Sequence, residues 1–220
     1  MTLFDRFLSP VFISIQVIMI ASIVSFITAL FVAWWMKDRK FKGKSALDTL
    51  LMLPLVLPPT VVGFGLLTLL GRQSFIGRSF EWLFSQPLVF SFWAAVVAAA
   101  VVAFPLIYQT LRTGFESVDS ELIEAARQLG GNEKQIFRFV ILPLSWRYIL
   151  TGYMLGFARG LGEFGATIMF AGNIPGRTQT MPSAIYSAVQ SGRTEMAYFW
   201  VITLVLFSFV LLSVVQRLKP

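Results

Sequence analysis

Few side chains in this 220-residue sequence are equipped for chemistry. It contains no His and no Cys, which removes the commonest general base, the commonest metal ligand, disulfides, thiolate metal sites and cysteine nucleophiles. No catalytic residue, metal set or cofactor is therefore expected. Two nucleotide motifs fail on context. Gly160-Leu161-Gly162-Glu163-Phe164-Gly165 fits the dinucleotide fingerprint letter for letter, but no βαβ pattern surrounds it. Gly43-Lys44-Ser45 ends like a phosphate-binding loop, yet the leading glycine that loop requires is Asp38, so this chain is not expected to hydrolyse ATP by itself. The charges that stand out are Arg159 and Glu163, four residues apart on one helical face of a long apolar stretch.

What positions that pair follows from composition. The chain is 56% hydrophobic and 13% charged, with 22 Phe and 6 Trp. A core of this size cannot hide so much apolar surface, so much of it must face lipid. That excludes a soluble enzyme, a disordered tail and a coiled coil. About 20 apolar residues carry a helix across the hydrocarbon. Four uncharged gaps are long enough: Phe7 to Met36, Thr49 to Gly71, Trp82 to Leu111 and Met196 to Gln216. A fifth, Leu144 to Phe170, contains Arg159 and Glu163. The expected fold is an all-α polytopic membrane protein with five transmembrane helices in one domain, residues 1–220. The first apolar run is too long for a signal peptide and lacks a basic leader, so it reads as a retained span.

Orientation follows from Lys and Arg. Lys37, Arg39, Lys40, Lys42, Lys44, Arg112, Arg127, Lys134, Arg138, Arg217 and Lys219 fall on one side, against Arg6, Arg72, Arg78, Arg177 and Arg193 on the other. This excess places the N-terminus outside and the C-terminus in the cytoplasm. The net charge of +7 is then topological, and no nucleic acid partner is expected.

Insertion scales charge about 2.5–3.5 kcal/mol for an ionised group at mid-bilayer, so Arg159 and Glu163 need a partner or a watery path. They either line or gate a translocation pathway, or form an ion pair that stabilises a helix bend. Pro54, Pro58 and Pro59 in the second span and Pro105 in the third remove helix hydrogen bonds. The expected kinks either line a cavity or only shape packing. Gly152, Gly156 and Gly160 repeat every four residues along the fourth span, which predicts a face for close helix packing.

The cytoplasmic segment 116–139 reads as two short helices. Asp119 caps the first, and Leu122, Ala125, Ala126 and Leu129 recur at helical spacing before Gly130 and Gly131 stop it. Asn132 with Gln135 forms a capping box that restarts a helix at Glu133, running through Ile136, Phe137 and Val140 to Pro143. Pattern alone leaves two readings open, a knob for a groove on another protein or an amphipathic loop on the headgroups. In the external loop 171–195, Pro182 to Gln190 reads as a short helix with Ile185 and Val189 on one face and Gly192 at its end, which helps close an external gate or receives a binding protein.

Glu124-Ala125-Ala126, three residues, Gly130, nine residues, Val140, one residue and Leu142-Pro143 resembles the EAA loop of bacterial ABC importer permeases, with Val140 where the family has Ile. The resemblance implies a type I importer permease core of the bacterial inner membrane. It also implies that Glu124, Ala125, Ala126, Gly130, Leu142 and Pro143 couple to an ATP-binding subunit, and that two copies of the chain work with two such subunits and an external oxyanion-binding protein. The run from Phe157 to Thr167, with Phe170 to Gly176 and Thr178-Gln179-Thr180, resembles the molybdate permeases of that family. Sulfate permeases are nearest to them, so the implied cargo is a tetrahedral oxyanion, molybdate first, with tungstate or sulfate as variants. The rival readings are an ATP-independent anion channel or secondary transporter, motivated by Arg159 and Glu163, and a membrane enzyme or scaffold, for which no paired carboxylates occur in a span.

Overall fold

Where water is absent, backbone N–H and C=O groups must find partners within the chain, and a helix supplies them residue by residue. The computed structural model describes residues 3–37, 39 and 41–218, and all secondary structure among them is helical. Asp38, Lys40 and Lys219, which enter the sequence argument, lie outside the described residues.

Three helices are each long and apolar enough to cross a bilayer: α1 (Leu3–Lys37), α5 (Phe92–Glu116) and α12 (Thr194–Leu218). Between α1 and α5 lie α2 (Lys44–Val56), α3 (Pro59–Leu70) and α4 (Phe75–Phe84). After α5 come α6 (Ser120–Gln128) and α7 (Glu133–Ile136), a π-helical turn Phe137–Ile141, the single turn α8 (Leu142–Leu144), α9 (Trp146–Leu161), α10 (Gly165–Phe170) and α11 (Met181–Gln190).

Helix α5 is the centre of the packing. Its buried positions include Ala94, Ala95, Ala98, Ala99, Ala100 and Ala103. Small side chains let neighbouring backbones approach, which matters where lipid supplies no hydrophobic drive for helix association. Helix α1 runs alongside α5 in the same direction, with the Ser25 hydroxyl donating to the Ala100 carbonyl at 3.0 Å and Ala29 and Ala33 buried beside Ile107 and Leu111. Helix α9 returns antiparallel. Gly152 faces Thr110, Gly156 faces Ile107, and Gly160 lies between Ile18 and the Ala99 carbonyl. At the start of α9 the relation is mirrored, with Gly114 of α5 under the Tyr148 ring.

Several expected boundaries are corrected. The third span does not begin at Trp82: residues 82–84 belong to the separate helix α4, and α5 begins at Phe92, where the Ser91 hydroxyl caps it by accepting from the Ala94 N–H. Pro105 does not break α5, which runs through it without interruption. The second span is not one helix but a pair, α2 and α3, bent by 118°. Two successive prolines force that break, because Leu57 and Pro58 both turn extended, at ψ 144° and 135°. The stretch from Leu144 to Phe170 is likewise divided into α9 and α10. In α11 the packed face is Met181, Ala184 and Ala188 with Ile185 beside them, while Val189 is exposed.

A Cβ on Gly156 would collide with the Ile107 side chain. Gly156→Val is expected to destabilise the protein by about 1–3 kcal/mol, read as a lower melting temperature in detergent. The double variant Gly156→Val/Ile107→Ala should recover part of the loss.

Candidate functional site at the paired helix breaks and the α6 handle

The two interrupted stretches meet at their interruptions. Pro58 turns the chain out of α2, and its carbonyl accepts from the N–H groups of Val61 and Val62 at 2.9 and 3.2 Å, which starts α3. On the other strand of the crossing, α9 ends at Leu161 and α10 begins at Gly165. A Cβ on Gly165 would sit 2.8 Å from the Pro59 ring, and one on Gly63 would sit 2.8 Å from the Ala166 Cα. The backbones of α3 and α10 therefore touch, and glycine is what permits it. Pro58 is exposed and Pro59 half-buried at this crossing.

Glu163 occupies the break in the second stretch and is buried. One carboxylate oxygen accepts from the Ala166 N–H at 2.7 Å, satisfying a donor that the start of α10 leaves free. The other lies 3.1 Å from an Arg159 guanidinium nitrogen. Glu163 is thus committed on both oxygens, whereas the Arg159 side chain is 31% exposed and carries N–H donors beyond the one it gives to Glu163. Arg159, Glu163 and Gly165 with Pro59 form one connected region. Along α9 the Gly152, Gly156 and Gly160 edge packs against α5, with Ile18 of α1 beside Gly160.

The handle lies at the far end of α5. The Asp119 carboxylate accepts from the Glu121 N–H at 2.9 Å and starts α6. Gly130, at φ +86°, ends it, with Gly130 N–H bonded to the Arg127 carbonyl and Gly131 N–H to that of Ala126, a Schellman closure. Asn132 and Gln135 form a reciprocal capping box for α7. The apolar positions of α6 divide between two faces. Ile123 and Ala126 pack inward, whereas Leu122, Ala125 and Glu124 are exposed and Leu129 is 90% exposed. The root is keyed into the bundle: Phe137 stacks on Trp34 of α1 at 5.1 Å and edges against Phe115 of α5 at 5.3 Å. Ile136 and Ile141 are buried, Leu142 is half-buried and Pro143 exposed. Ser145 donates to the Gly114 carbonyl at 2.9 Å.

Sequence reasoning missed a polar clamp beside this root. Asp48 of α2 accepts from the Tyr108 hydroxyl and from Arg112 at 2.9 Å, and Arg112 also reaches Glu116 at 2.8 Å. The clamp joins α2 to α5. Its only sequence signal is a lone acidic residue at the edge of an apolar stretch.

Glu163 variants separate its two bonds. Gln retains an acceptor for the Ala166 N–H but loses the charge; Ala loses both. Melting temperatures are expected to fall in the order native, Glu163→Gln, Glu163→Ala, with the buried N–H left by Ala worth about 1–3 kcal/mol.

The comparisons with known proteins agree with this architecture. Residues 21–220 match the family described as the binding-protein-dependent transport system inner membrane component. A putative molybdenum transport system permease protein of Bacillus subtilis is 50% identical over 215 residues, covering 98% of this chain and 95% of the relative. The molybdenum transport system permease protein of Escherichia coli K12 is 44% identical over 209 residues, covering 94% and 91%. A probable sulfate transport system permease protein of Chlorella vulgaris is 32% identical over 215 residues, covering 96% and 80%. Among solved structures, a methionine ABC transporter in inward-facing conformations shares the fold at TM-score 0.76, with 15% identity and full coverage of both chains. A bacterial alginate ABC transporter does so at TM-score 0.74, with 14% identity, 98% of this chain and 81% of the other. The chain therefore belongs to the binding-protein-dependent inner membrane components, the permease subunits of ABC importers, and is similar to their molybdenum transport members.

Proposed function

We propose that this chain is the membrane subunit through which molybdate, a tetrahedral oxyanion, is imported into the bacterial cytoplasm by an ATP-driven ABC transporter. Two copies form one pathway across the inner membrane, each coupled to an ATP-binding subunit, and an external binding protein delivers the anion. The names of the relatives support the cargo. The observation that carries the mechanism is the α6 handle: a helix that leaves Leu122, Glu124, Ala125 and Leu129 exposed on a root locked to α1 and α5.

Those features suit a mechanical coupler. The exposed apolar positions and Glu124 dock against the ATP-binding subunit, and Gly130 sets the angle at which α6 leaves α7. A force on α6 passes through Phe137 and Ser145 into α5 and α9, because interlocked aromatic rings and a buried hydrogen bond resist local yielding. The ion pair between Arg127 and Glu133, 2.9 Å across the Gly130 turn, is compatible with that angle and adds little energy at its exposure. ATP-driven approach of the partner subunits then opens the pathway outward, and hydrolysis resets it.

At the helix breaks Glu163 keeps the bend closed while Arg159 faces the pathway. An arginine partly neutralised by its own carboxylate attracts a passing dianion without holding it, as rapid transit requires. Pro58 and Pro59 let the α2–α3 pair turn beside it.

The part-exposed Arg159 also favours a second reading, an ATP-independent anion channel. Uptake of molybdate into proteoliposomes holding the complete complex tests both: the importer requires ATP and the partner ATPase, whereas flux through this chain alone, indifferent to ATP, would establish the channel. Gly130→Pro demands φ near −65° where the backbone holds +86°, and Glu124→Arg reverses a charge on the docking face. Each is expected to lower co-purification with the ATPase and coupled uptake by at least about ten-fold. Undiminished assembly and uptake in both would remove the role assigned to α6.

A further inference from the structure

At the end of the molecule opposite the α6 handle, three connecting segments enclose a cavity of about 420 Å³. Its lining includes Arg72, Gln86, Ser91 and Arg177 over a floor of Val89 and Ile174. No carboxylate is among the lining residues; Arg72 and Arg177 share the recess, and Glu81, which pairs with Arg72, stands outside its lining. Lys and Arg are sparse at this end, which makes the pairing of two in one recess notable.

Both arginines rise from turns that are already rigid. The Ile174 carbonyl accepts from the N–H groups of Arg177, Thr178 and Gln179, and Ile174 N–H is bonded in return to the buried Thr178 hydroxyl at 3.0 Å. The Arg72 turn is closed by Ser74, whose N–H and hydroxyl both donate to the Gly71 carbonyl and whose oxygen accepts from Gly77 N–H. The segment between them is anchored by Phe90 N–H on the Phe170 carbonyl at 3.2 Å, with Ser85 and Phe90 held at φ 54° and 55°. The backbones that carry the two cationic forks are fixed before an anion arrives, so the ordering that remains falls on the two side chains.

We propose that this recess is a low-affinity capture site for free tetrahedral oxyanions on the face where the anion enters. Arg177 is the principal ligand. Arg72, lying 3.6 Å from Glu81 in an exposed pair, exchanges that carboxylate for the anion. A guanidinium presents parallel N–H donors that match two oxygens of a tetrahedral anion, and two such groups match a dianion in charge. Because both groups are solvated and one already has a carboxylate, affinity is on the order of millimolar, which is suited to retaining an anion just released and not to scavenging it. The physiological meaning rests on the oxyanion cargo proposed above; the binding itself depends only on charge and geometry. The same chemistry is available from carboxylates on a docked binding protein, and the inference commits to the free anion.

The absence of Cys makes the test direct. In the permease–ATPase complex in lipid nanodiscs, Gln86→Cys introduces a thiol into the recess, and its modification in this chain is followed by mass spectrometry. An anionic methanethiosulfonate is expected to react about ten-fold faster than a cationic one. Molybdate or sulfate at several times the millimolar affinity is expected to slow the reaction at least three-fold over chloride of equal ionic strength. Arg72→Gln/Arg177→Gln should abolish both effects, and Arg72→Lys/Arg177→Lys should restore the charge preference. Equal rates with either oxyanion and with chloride, or protection that survives the double Gln variant, overturns the site. Protection by anion-free binding protein with none from free oxyanion assigns the recess to protein carboxylates and overturns it as well. Uptake by the same Gln86→Cys complex reconstituted in proteoliposomes separates the two readings: protection by sulfate without molybdate uptake leaves the site standing and removes the cargo, and ATP-coupled uptake without protection does the reverse.

Discussion

Helix α5 can be approached to backbone distance on two sides, and the rest of the molecule is arranged around that fact. In lipid, apolar side chains gain little by leaving one apolar medium for another, so association depends on contact area and on hydrogen bonds. The alanines of α5 against α1, and the Gly152, Gly156 and Gly160 edge of α9 against α5, supply the contact. Ser25 on the Ala100 carbonyl and Ser145 on the Gly114 carbonyl supply bonds between helices at two levels. Large side chains at those positions would separate the helices and break those bonds between them.

The same medium explains why the two breaks lie together. A broken helix exposes donors and acceptors that lipid cannot satisfy. The Pro58 break meets its needs by restarting α3 at once, the Pro58 carbonyl accepting twice. The break at Gly162 to Phe164 uses a side chain instead, the Glu163 carboxylate taking the Ala166 N–H while pairing with Arg159. Packing Pro59 against Gly165 shields both interruptions in one place. A charged pair at this depth is consequently part of how the fold is closed as well as part of the proposed pathway.

The handle and the breaks stand at opposite ends of a single rigid path. Helix α9 begins beside the root of the handle and ends at Arg159 and Glu163, and it is held along its length by α5. Packed backbone, not flexible loops, therefore connects α6 to the breaks. The Asp48 clamp on Tyr108 and Arg112 ties α2, which leads to Pro58, to the same end of α5. Both arms of the crossing are in this way rooted near the handle.

Much of this was readable from residue order. Membrane residence, the α6–α7 hairpin with its Asp119 and Asn132 caps, the Gly130 stop and the α12 span rest on local rules: hydropathy over about 20 residues, capping and glycine geometry. The glycine edge of α9 was visible as a repeat, though not that Ile107 and Thr110 would fill its grooves. The sequence could not say that α4 would separate from α5, that Pro105 would leave its helix intact while Pro58 and Pro59 bend theirs by 118°, or that Leu122 would stay exposed while Ala126, one turn on, packs inward. Nor could it show that the Glu163 carboxylate would take the Ala166 N–H while pairing with Arg159. Those outcomes depend on which neighbour fills each space and which donor lies within 3 Å, quantities set by residues far apart in the chain. Local chemistry determined what each segment was able to become; the three-dimensional arrangement decided which partners satisfied it, because in a medium without water every unpaired backbone group must be answered by some other part of the fold.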